Sequence, residues 1–137
     1  MANISITATD VVRVSGSYSQ GLLGATVDAG EMVAYDATNQ YWVLATEISG
    51  GSNPVKMAIS SGVAGQVIGL AEPGAEITLG SAVMTAGDVL VASATTAGKI
   101  APHSDLVAGD TLYIVGYAKT TDEIVLILKY TGVELPT

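Results

Sequence analysis

AGDTLYIVGYAKTTDEIVLILKY, from Ala108 to Tyr130, is the stretch of the sequence that decides the fold class. An Ala-Gly pair and an acid lead into an apolar run, a polar turn follows, and a second apolar run ends the stretch. Glycine adopts positive φ without a Cβ clash, so an Ala-Gly pair suits a turn that starts a strand. Neither apolar run alternates with polar residues, and we therefore expect both faces of the two strands to be covered.

The same turn phrase recurs along the chain. Ala-Gly occurs five times, at Ala29-Gly30, Ala64-Gly65, Ala86-Gly87, Ala97-Gly98 and Ala108-Gly109. Between these pairs lie short runs of Val, Ile, Thr and Tyr rather than the apolar stripes of an exposed helix, which is typical of a sandwich or a small barrel. The glycine spacing does not match that of a phosphate-binding loop. The sequence therefore predicts an all-β fold in which Ala-Gly turns lead into strands.

Two segments of the chain echo each other: Val67 to Leu79 reads VIGLAEPGAEITL, and Ile114 to Leu126 reads IVGYAKTTDEIVL. The residues repeated at matched places are Gly69 and Gly116, Ala71 and Ala118, Glu76 and Glu123, Ile77 and Ile124, and Leu79 and Leu126. We interpret each segment as the closing hairpin of a repeated β unit, approximately residues 29–79 and 86–128. Two such units packed about a pseudo-twofold axis would close a small barrel without exposed sheet edges.

Two regions depart from this repeat. The first unit is longer than the second, and the loop-like run from Gly50 to Pro54 places an insertion between Glu47 and Gly62. Residues 1–27 precede the first unit and contain short alternating segments, which suit an extended N-terminal arm that adds a strand to a neighbour's sheet. An ordinary first strand of the same barrel fits the pattern equally well. The predicted organisation is an arm over residues 1–27 and a barrel-like domain over residues 28–137.

Thirteen acidic and five basic residues give the chain a formal net charge of −8, and the basic residues are scattered. Binding to a phosphate backbone needs a positive patch, so nucleic acid is not an expected partner. Cysteine is absent, which excludes disulfides and thiolate metal sites. The first ten residues lack the pattern of a signal peptide, and no run approaches the roughly 20 apolar residues of a membrane helix. We expect a protein made inside a cell with no membrane partner.

Candidate catalytic residues are few. His103 is followed by a serine and an aspartate, but adjacent residues do not form a triad, and the sequence has no second histidine to act as a base. The acid pairs Asp122-Glu123 and Asp105/Asp110 fall in turns or at strand starts, where carboxylates are usually solvated. No Asp-x-Asp-x-Asp series indicates a calcium loop. We expect no enzyme activity, no cofactor and no metal site, with His103 in a surface loop.

The chain has one tryptophan, six tyrosines and no phenylalanine, so we expect a mostly aliphatic core. Tyr41 and Trp42 would stack on a sugar in a carbohydrate-binding module, although one aromatic pair in an alternating strand is more typical of a core or an interface. A domain this short without helices has little left to cover the outer faces of its apolar strands. A partner subunit is the expected cover, and the second sheet of a simple sandwich is the alternative.

The phrases TAGDVLVASATTAGKIAPH and GDTLYIVGYAKTTDEIVLILKY resemble those of the capsid decoration, or cement, proteins of tailed bacteriophages. Proteins of that family often end on a Gly-x-Ala phrase, an acid and an apolar strand, after an Ala-Gly-Asp strand. The resemblance covers approximately Ala29 to Tyr130 and consists of turn and strand phrases. It implies a β-barrel-like or β-tulip domain that binds the outside of an assembled head as a homotrimer and bridges major capsid protein subunits.

The resemblance also implies a binding segment, because the N-terminal segment often contacts the capsid in that family. The candidate capsid-binding residues are Ile4, Ile6, Val12, Arg13, Val14 and Tyr18. The implied location is the exterior of the virion, after synthesis in the host cytoplasm, and no small-molecule substrate is expected. The alternative is a β-rich binding module of a phage tail fibre or spike, which binds a carbohydrate or the head and uses Tyr41 and Trp42.

Overall fold

The computed structural model describes residues 3–51, 53–80 and 84–136, and within these ranges the fold is all-β, as predicted. The described residues form eleven β-strands and three short 3-10 helices. The strands are β1 (Val11–Ser15), β2 (Tyr18–Leu22), β3 (Met32–Asp36), β4 (Tyr41–Leu44), β5 (Val55–Ala58), β6 (Val67–Ala71), β7 (Glu76–Leu79), β8 (Val89–Ala92), β9 (Ile100–Pro102), β10 (Thr111–Ala118) and β11 (Glu123–Glu134). The 3-10 helices are Ala8–Asp10, Ser49–Gly51 and His103–Asp105.

The strands form two antiparallel sheets. The six-stranded sheet has the order β1-β7-β11-β10-β8-β9, and the five-stranded sheet has the order β2-β6-β5-β3-β4. The chain passes from the first sheet to the second between β1 and β2, and it returns between β6 and β7. Because β1 pairs with β7 and β2 pairs with β6, the two crossings lie side by side and form one bent ribbon.

The predicted closed barrel does not form in the described part of the chain. Strands β1 and β9 are the edges of the six-stranded sheet, and β2 and β4 are the edges of the five-stranded sheet. The five-stranded sheet curls until Leu23 forms a single bridge with Trp42, but no continuous ladder closes it. Among the named strands, only the bent ribbon passes from sheet to sheet. Away from the ribbon, the turn between β8 and β9 also bonds to the five-stranded sheet: Met32 N–H donates to the carbonyl of Gly98 at 2.8 Å, and Gly98 N–H donates to the carbonyl of Ala45 at 2.7 Å. The result is an open two-sheet arrangement.

All five Ala-Gly pairs form turns that lead into strands, as predicted. The φ angle of the glycine lies between 82° and 92° in every pair, at Gly30, Gly65, Gly87, Gly98 and Gly109. The residue after each glycine donates its N–H to the carbonyl two residues before that glycine, at 3.0–3.3 Å. This geometry is a type II turn with glycine at its third position. A strand begins two residues after each glycine, so one turn phrase sets the start of five strands.

The two echoing segments differ in topology, so the prediction of two equivalent hairpins is wrong for the first of them. Strands β10 and β11 pair as a hairpin in which Ala118 lies opposite Ile124. Strands β6 and β7 instead lie in different sheets. The link between them, residues 72–75, is a tight turn whose Gly74 N–H donates to the carbonyl of Leu126 in β11 at 2.8 Å. The link is therefore bonded to β11 and does not fold β7 back onto β6.

The core has two parts. The larger part lies between the sheets and contains Met32 and Met57 from the five-stranded sheet with Ile77, Leu90 and Leu126 from the six-stranded sheet. The smaller part lies on the other face of the five-stranded sheet, within its curl. It consists of Leu23, Val27, Val33, Trp42, Ala58, Ile68 and Leu70. The five-stranded sheet therefore buries apolar side chains on both of its faces.

The N-terminal segment lies against the domain, and the predicted extended arm over residues 1–27 is not confirmed. Ile4 is buried, and its N–H donates to the carbonyl of Ile100 at 2.8 Å, beside the edge strand β9. Val11 of β1 belongs to the core between the sheets. The described part of this segment thus contributes strands to both sheets, which is the alternative that the sequence pattern left open.

The predicted insertion between Glu47 and Gly62 contains β5, which lies between β6 and β3 in the five-stranded sheet. Met57 and Ala58 in this strand are fully buried, one on each face of the sheet. The insertion is therefore part of the core. It is more than a surface loop because its short apolar run completes the five-stranded sheet.

Candidate functional site

The outer face of the six-stranded sheet, turned away from the core, carries a row of apolar side chains. Residues opposite one another in a ladder share a face, and Val89, Tyr117 and Val125 lie side by side across three strands. Ile114 lies on the same face of β10, and Ile127 of β11 is 42% exposed next to it. Tyr117 is 41% exposed. Apolar side chains left open in the middle of a sheet are typical of a surface that another chain covers.

Charged side chains border this outer face. Glu76 of β7 lies opposite Val125 and accepts hydrogen bonds from Lys119 Nζ at 3.0 Å and from Ser15 Oγ at 3.1 Å. The hydrogen bond from Lys119, followed by that from Ser15, lowers the pKa of Glu76, and Glu76 raises the pKa of Lys119 in return. Lys129 is exposed opposite Ile114. An apolar centre with a charged rim is the usual anatomy of a protein–protein interface.

An apolar groove of about 290 Å³ lies at one end of the outer face. Its walls are Val89, His103, Leu106, Leu112, Ile114 and Leu135. The His103 ring packs there with Nδ1 3.3 Å from the carbonyl oxygen of Val89, so the 3-10 helix His103–Asp105 forms one side of the groove. A groove of this composition suits an apolar side chain from a partner, and such anchors carry much of the energy of an interface.

His103 is exposed on this groove, and its described hydrogen bond is to the backbone of Val89. Of the acids named as catalytic candidates, Asp110 accepts a backbone N–H of its own turn at 3.0 Å, and Asp122 accepts the hydroxyl of Thr120 at 2.9 Å. Asp105 ends the 3-10 helix His103–Asp105, and Glu123 begins β11. Across residues 3–51, 53–80 and 84–136, no three His, Asp or Glu side chains are grouped to hold a metal ion. Asp110 and Asp122 therefore have the hydrogen bonds of turn residues.

The six predicted capsid contacts divide into buried and exposed residues. Ile4 is buried and Ile6 packs against the core, so neither is presented to a partner. The other four lie at the corner between β1 and β2 and are Val12, Arg13, Val14 and Tyr18. The Arg13 guanidinium lies 4.6 Å from the centre of the Tyr18 ring, a cation–π contact, while the three apolar or aromatic residues are more than half exposed. This corner is the part of the predicted contact set that can meet another chain.

Trp42 belongs to the core and does not form a platform for a sugar. It is 9% exposed, and its ring packs against Tyr35 with the ring centroids 5.3 Å apart. Lys56 Nζ lies 5.4 Å from the centre of the indole ring. Tyr41 is half-buried over Gly24, where a Cβ atom would come within 2.5 Å of the Tyr41 ring. The pair therefore presents no open aromatic face, in agreement with the core interpretation of the sequence.

A cavity of about 280 Å³ between the two sheets was not predicted from the sequence. Its walls include Asn53, Val55, Lys56, Glu72, Tyr113 and Tyr130. Burial raises the pKa of Tyr113 to about 12, so its phenol stays neutral at physiological pH. The sequence signal was Tyr113 in one apolar strand and Tyr130 in the next, which the strand pattern alone does not distinguish from ordinary core. We call this space the inter-sheet cavity.

Comparison with models of known protein families and with curated protein sequences finds no match for the chain. None of the helices in the described ranges is long and apolar enough to cross a membrane. The surfaces described above are therefore the grounds on which a function is proposed.

Proposed function

We propose that the chain is a structural virion protein that binds the outer surface of a phage capsid and stabilises the head by bridging major capsid protein subunits. The apolar outer face of the six-stranded sheet, with Tyr117 near its centre, is the observation that supports this most. A half-exposed apolar sheet face with a charged rim has the composition of a surface for protein partners. A protein that holds the subunits of a capsid together needs such a surface and needs no active site.

We further propose that the chains associate as a homotrimer on the capsid exterior. In this proposal, contacts with other copies and contacts with the capsid share the outer face. The corner with Val12, Val14 and Tyr18 adjoins it through β1 and provides the second capsid contact. Because β1 is an edge strand, its free backbone groups can pair with a strand of the major capsid protein.

Cosedimentation with phage heads tests this proposal. Purified protein is mixed with expanded heads, and separately with unexpanded heads, of the phage whose genome encodes the chain. We expect the protein to attach to the expanded heads and to raise the temperature at which they break. The double variant Tyr117→Ser, Ile127→Ser should attach at least about tenfold more weakly, because aromatic and aliphatic anchors at the centre of an interface carry most of its energy.

Val67→Ser is the matched control. Val67 is 60% exposed, but it lies on β6 in the other sheet. This single variant removes exposed apolar surface from the other sheet, and it should attach as well as the wild type. If the wild-type chain fails to cosediment, or if the outer-face variant and the Val67 variant attach equally well, the proposal is wrong. Sedimentation equilibrium of the free protein tests the trimer, and a monomer at all concentrations would exclude it.

The alternative function is a β-rich binding module of a phage tail fibre or spike. The burial of Trp42 removes the support that Tyr41 and Trp42 gave to a sugar site in such a module. The inter-sheet cavity is the feature that favours the alternative, since Tyr113 and Tyr130 line it. A tail module would leave the stability of isolated heads unchanged, so the cosedimentation experiment distinguishes the two functions.

A further inference from the structure

The apolar groove at one end of the outer face is accessible in a single chain. Its six wall residues are all half-buried or exposed, and five of them are aliphatic. The volume of about 290 Å³ is close to the roughly 300 Å³ at which small-molecule sites begin, so the groove has room for one or two side chains. Val89 and Ile114 belong both to the groove and to the outer face, so the two form one continuous surface.

Backbone hydrogen bonds hold two carboxylates beside the groove. Asp110 Oδ2 accepts the Val107 N–H at 3.0 Å, and Glu47 Oε2 accepts the Thr111 N–H at 2.8 Å. Val107 directly follows one wall residue, and Thr111 directly precedes another. By backbone geometry, each carboxylate therefore lies within about 8 Å of the Cα atom of a wall residue. This distance is shorter than the Debye length of about 10 Å at 0.1 M salt, so both charges act on the groove.

Three more acids adjoin the walls along the chain. Each directly precedes a wall residue, and they are Asp88, Asp105 and Glu134. Because consecutive Cα atoms are 3.8 Å apart, each of these carboxylates lies within about 9 Å of the Cα atom of a wall residue. Against these acids, the ladder of β10 and β11 places one cation, Lys129, opposite Ile114. The border of the groove is therefore negative.

Apolar walls and a negative border together select the chemistry of the group that fills the groove. Phosphates and other anions are repelled by the border. A neutral hydrocarbon fills the walls but gains nothing from the border. An apolar side chain next to a lysine or an arginine gains from both, because its cation lies near the carboxylates while its neighbour is buried in the groove.

Another copy of this chain has few cations to offer to such a border. Three of its five basic residues form ion pairs with glutamates of their own chain, and these are Lys56, Lys99 and Lys119. The Arg13 guanidinium donates to the Gly16 carbonyl at 2.7 Å and lies over the Tyr18 ring. Lys129 borders the groove itself. With a net charge of −8, two copies also repel each other at this border, so the occupant is expected from a different protein.

We propose that the apolar groove binds a segment of the major capsid protein in which an aliphatic or aromatic side chain stands next to a lysine or an arginine. The apolar side chain fills the groove, and the cation lies over the negative border. This inference rests on the proposed function and adds to it the chemistry of the capsid segment that the outer face binds.

Three probes with the same phenyl ring test the groove without phage heads. They are phenethylamine, phenethyl alcohol and hydrocinnamate, which are positive, neutral and negative at neutral pH. Each is titrated into the full chain to about 20 mM, enough to detect a site of millimolar affinity, and amide NMR spectra are recorded. We expect the amide signals of Leu112 and Ile114 to shift. The amine should bind about three- to fivefold more tightly than the alcohol, and the acid more weakly, with a smaller difference in about 0.5 M NaCl.

A pair of double variants tests the border. Asp110→Asn, Glu134→Gln removes two of its charges and keeps an oxygen that can accept the Val107 N–H. It should bind the alcohol as the wild type does and lose about half or more of the preference for the amine. Asp28→Asn, Asp36→Asn is the matched control, since it removes the same charge near the two ends of β3 in the other sheet. This control should keep the full preference.

Both double variants are then compared in the cosedimentation experiment. The border variant should attach to expanded heads about threefold more weakly than the control variant. If the three probes bind equally, if their shifts lie away from the groove, or if the two variants attach equally, the inference is overturned while the proposed function stands. If the wild-type chain does not attach, the proposed function fails, and the capsid segment fails with it. If the groove signals shift as the protein alone is concentrated, a second copy fills the groove and the inference is overturned.

Discussion

Residues 67–79 and 114–126 have the same residue at five matched places, yet one segment crosses between the two sheets and the other is a hairpin within one sheet. In the hairpin, Lys119 N–H donates to the carbonyl of Glu123 at 2.8 Å, so the link closes on itself. In the crossing segment, Gly74 N–H donates to the carbonyl of Leu126 and the Ala75 carbonyl accepts from Leu126 N–H. The link is therefore bonded to a third strand.

The two links have equal length and different residues. Glu72-Pro73-Gly74-Ala75 joins β6 to β7, and Lys119-Thr120-Thr121-Asp122 joins β10 to β11. Proline has no N–H to donate across a hairpin, and Gly74 has φ of 89°, as the third position of a type II turn requires. The residues of the link, and not those of the similar strands, therefore decide which neighbour each strand pairs with.

The matched strands nevertheless meet. Strand β7 pairs with β11, and Ile77 lies directly opposite its counterpart Ile124. On either side, Thr78 lies opposite Glu123 and Val125 lies opposite Glu76, so the pairing has a local twofold arrangement. The repeated phrase therefore forms one antiparallel pair within the six-stranded sheet, although β6 and β10, the strands that precede β7 and β11, lie in different sheets.

The two segments should differ most in the stability that is lost when their matched glycines, Gly69 and Gly116, are replaced by alanine. A Cβ atom on Gly116 would lie 2.0 Å from the Val125 carbonyl oxygen, and backbone in the middle of a sheet cannot move away. A Cβ atom on Gly69 would lie 2.9 Å from Ile59 Cγ1, which belongs to a side chain that can rotate. We expect Gly116→Ala to lower the free energy of unfolding by at least about 3 kcal/mol, and Gly69→Ala by about 1 kcal/mol.

Urea unfolding followed by far-ultraviolet circular dichroism measures both alanine variants. The midpoint should fall much further for Gly116→Ala than for Gly69→Ala, with an unchanged slope for the milder variant. Equal losses at the two positions would mean that the segments are structurally equivalent, and the topological difference between them would be contradicted.

The second prediction compares the third residue of each link. Gly74 has positive φ and open space around its Cα, so Gly74→Ala adds strain without a clash. We expect it to lower the free energy of unfolding by about 1–2 kcal/mol. Thr121, at the matched place in the hairpin, is exposed, and Thr121→Ala should change stability by less than about 0.5 kcal/mol. Thermal unfolding of the two variants under identical conditions measures the contrast, and a larger loss in Thr121→Ala would contradict it.

Local signals predicted those parts of the fold that are decided within a few residues. The Ala-Gly turns were predictable because glycine at positive φ and the following strand need only their own neighbours, as at Gly87 and Gly109. The crossing at residues 72–75 was not predictable in this way, because its partner is Leu126, far along the chain. The corner at Gly16 depends likewise on Ala75, since a Cβ atom there would lie 2.5 Å from the Ala75 Cα.

The same distinction applies to the candidate sites. Trp42 was predictable as a core residue from its alternating strand. The surface position of His103 followed from its neighbours, although the residue begins a 3-10 helix and not a loop. The inter-sheet cavity forms where Glu72, Tyr113 and Tyr130 meet from three separate segments, so no local pattern indicates it. Strand β5 was not predicted for a related reason, because its short apolar run directly follows the loop-like residues 50–54.

The third prediction tests the local twofold pairing. Ile77→Val and Ile124→Val should each lower the free energy of unfolding by about 1 kcal/mol, since each removes one buried methyl group. In the double variant, the loss of unfolding free energy should differ from the sum of the two single losses by about 0.5 kcal/mol, because directly opposed side chains pack against each other. Ile68→Val with Ile124→Val is the control pair, as Ile68 belongs to the other core cluster and should be additive with Ile124. Additivity for the opposed pair would contradict the register.

The smallest expected effect concerns the contact between Lys119, in the link of the hairpin, and Glu76, at the start of the matched strand β7. The hydrogen bond from Lys119 is the largest cause that lowers the pKa of Glu76. Because the pKa is lower in the folded state, the stabilisation is fully present above the ordinary glutamate pKa of about 4.3 and is lost as the pH falls through the folded value. Lys119 has the opposite sign: its raised pKa stabilises at neutral pH, and the contribution is lost only as the pH rises through the folded value.

An NMR titration of the side-chain carboxyl carbons measures the Glu76 midpoint directly. We expect it below the ordinary value in the wild type and closer to that value in Lys119→Met, where the hydrogen bond from Ser15 remains. Lys119 is exposed and Glu76 is partly exposed, so the effect on global stability is small and should diminish with added salt. If the midpoint does not change in Lys119→Met, the link of the hairpin does not hold β7, and the two segments interact only through the pairing of their strands.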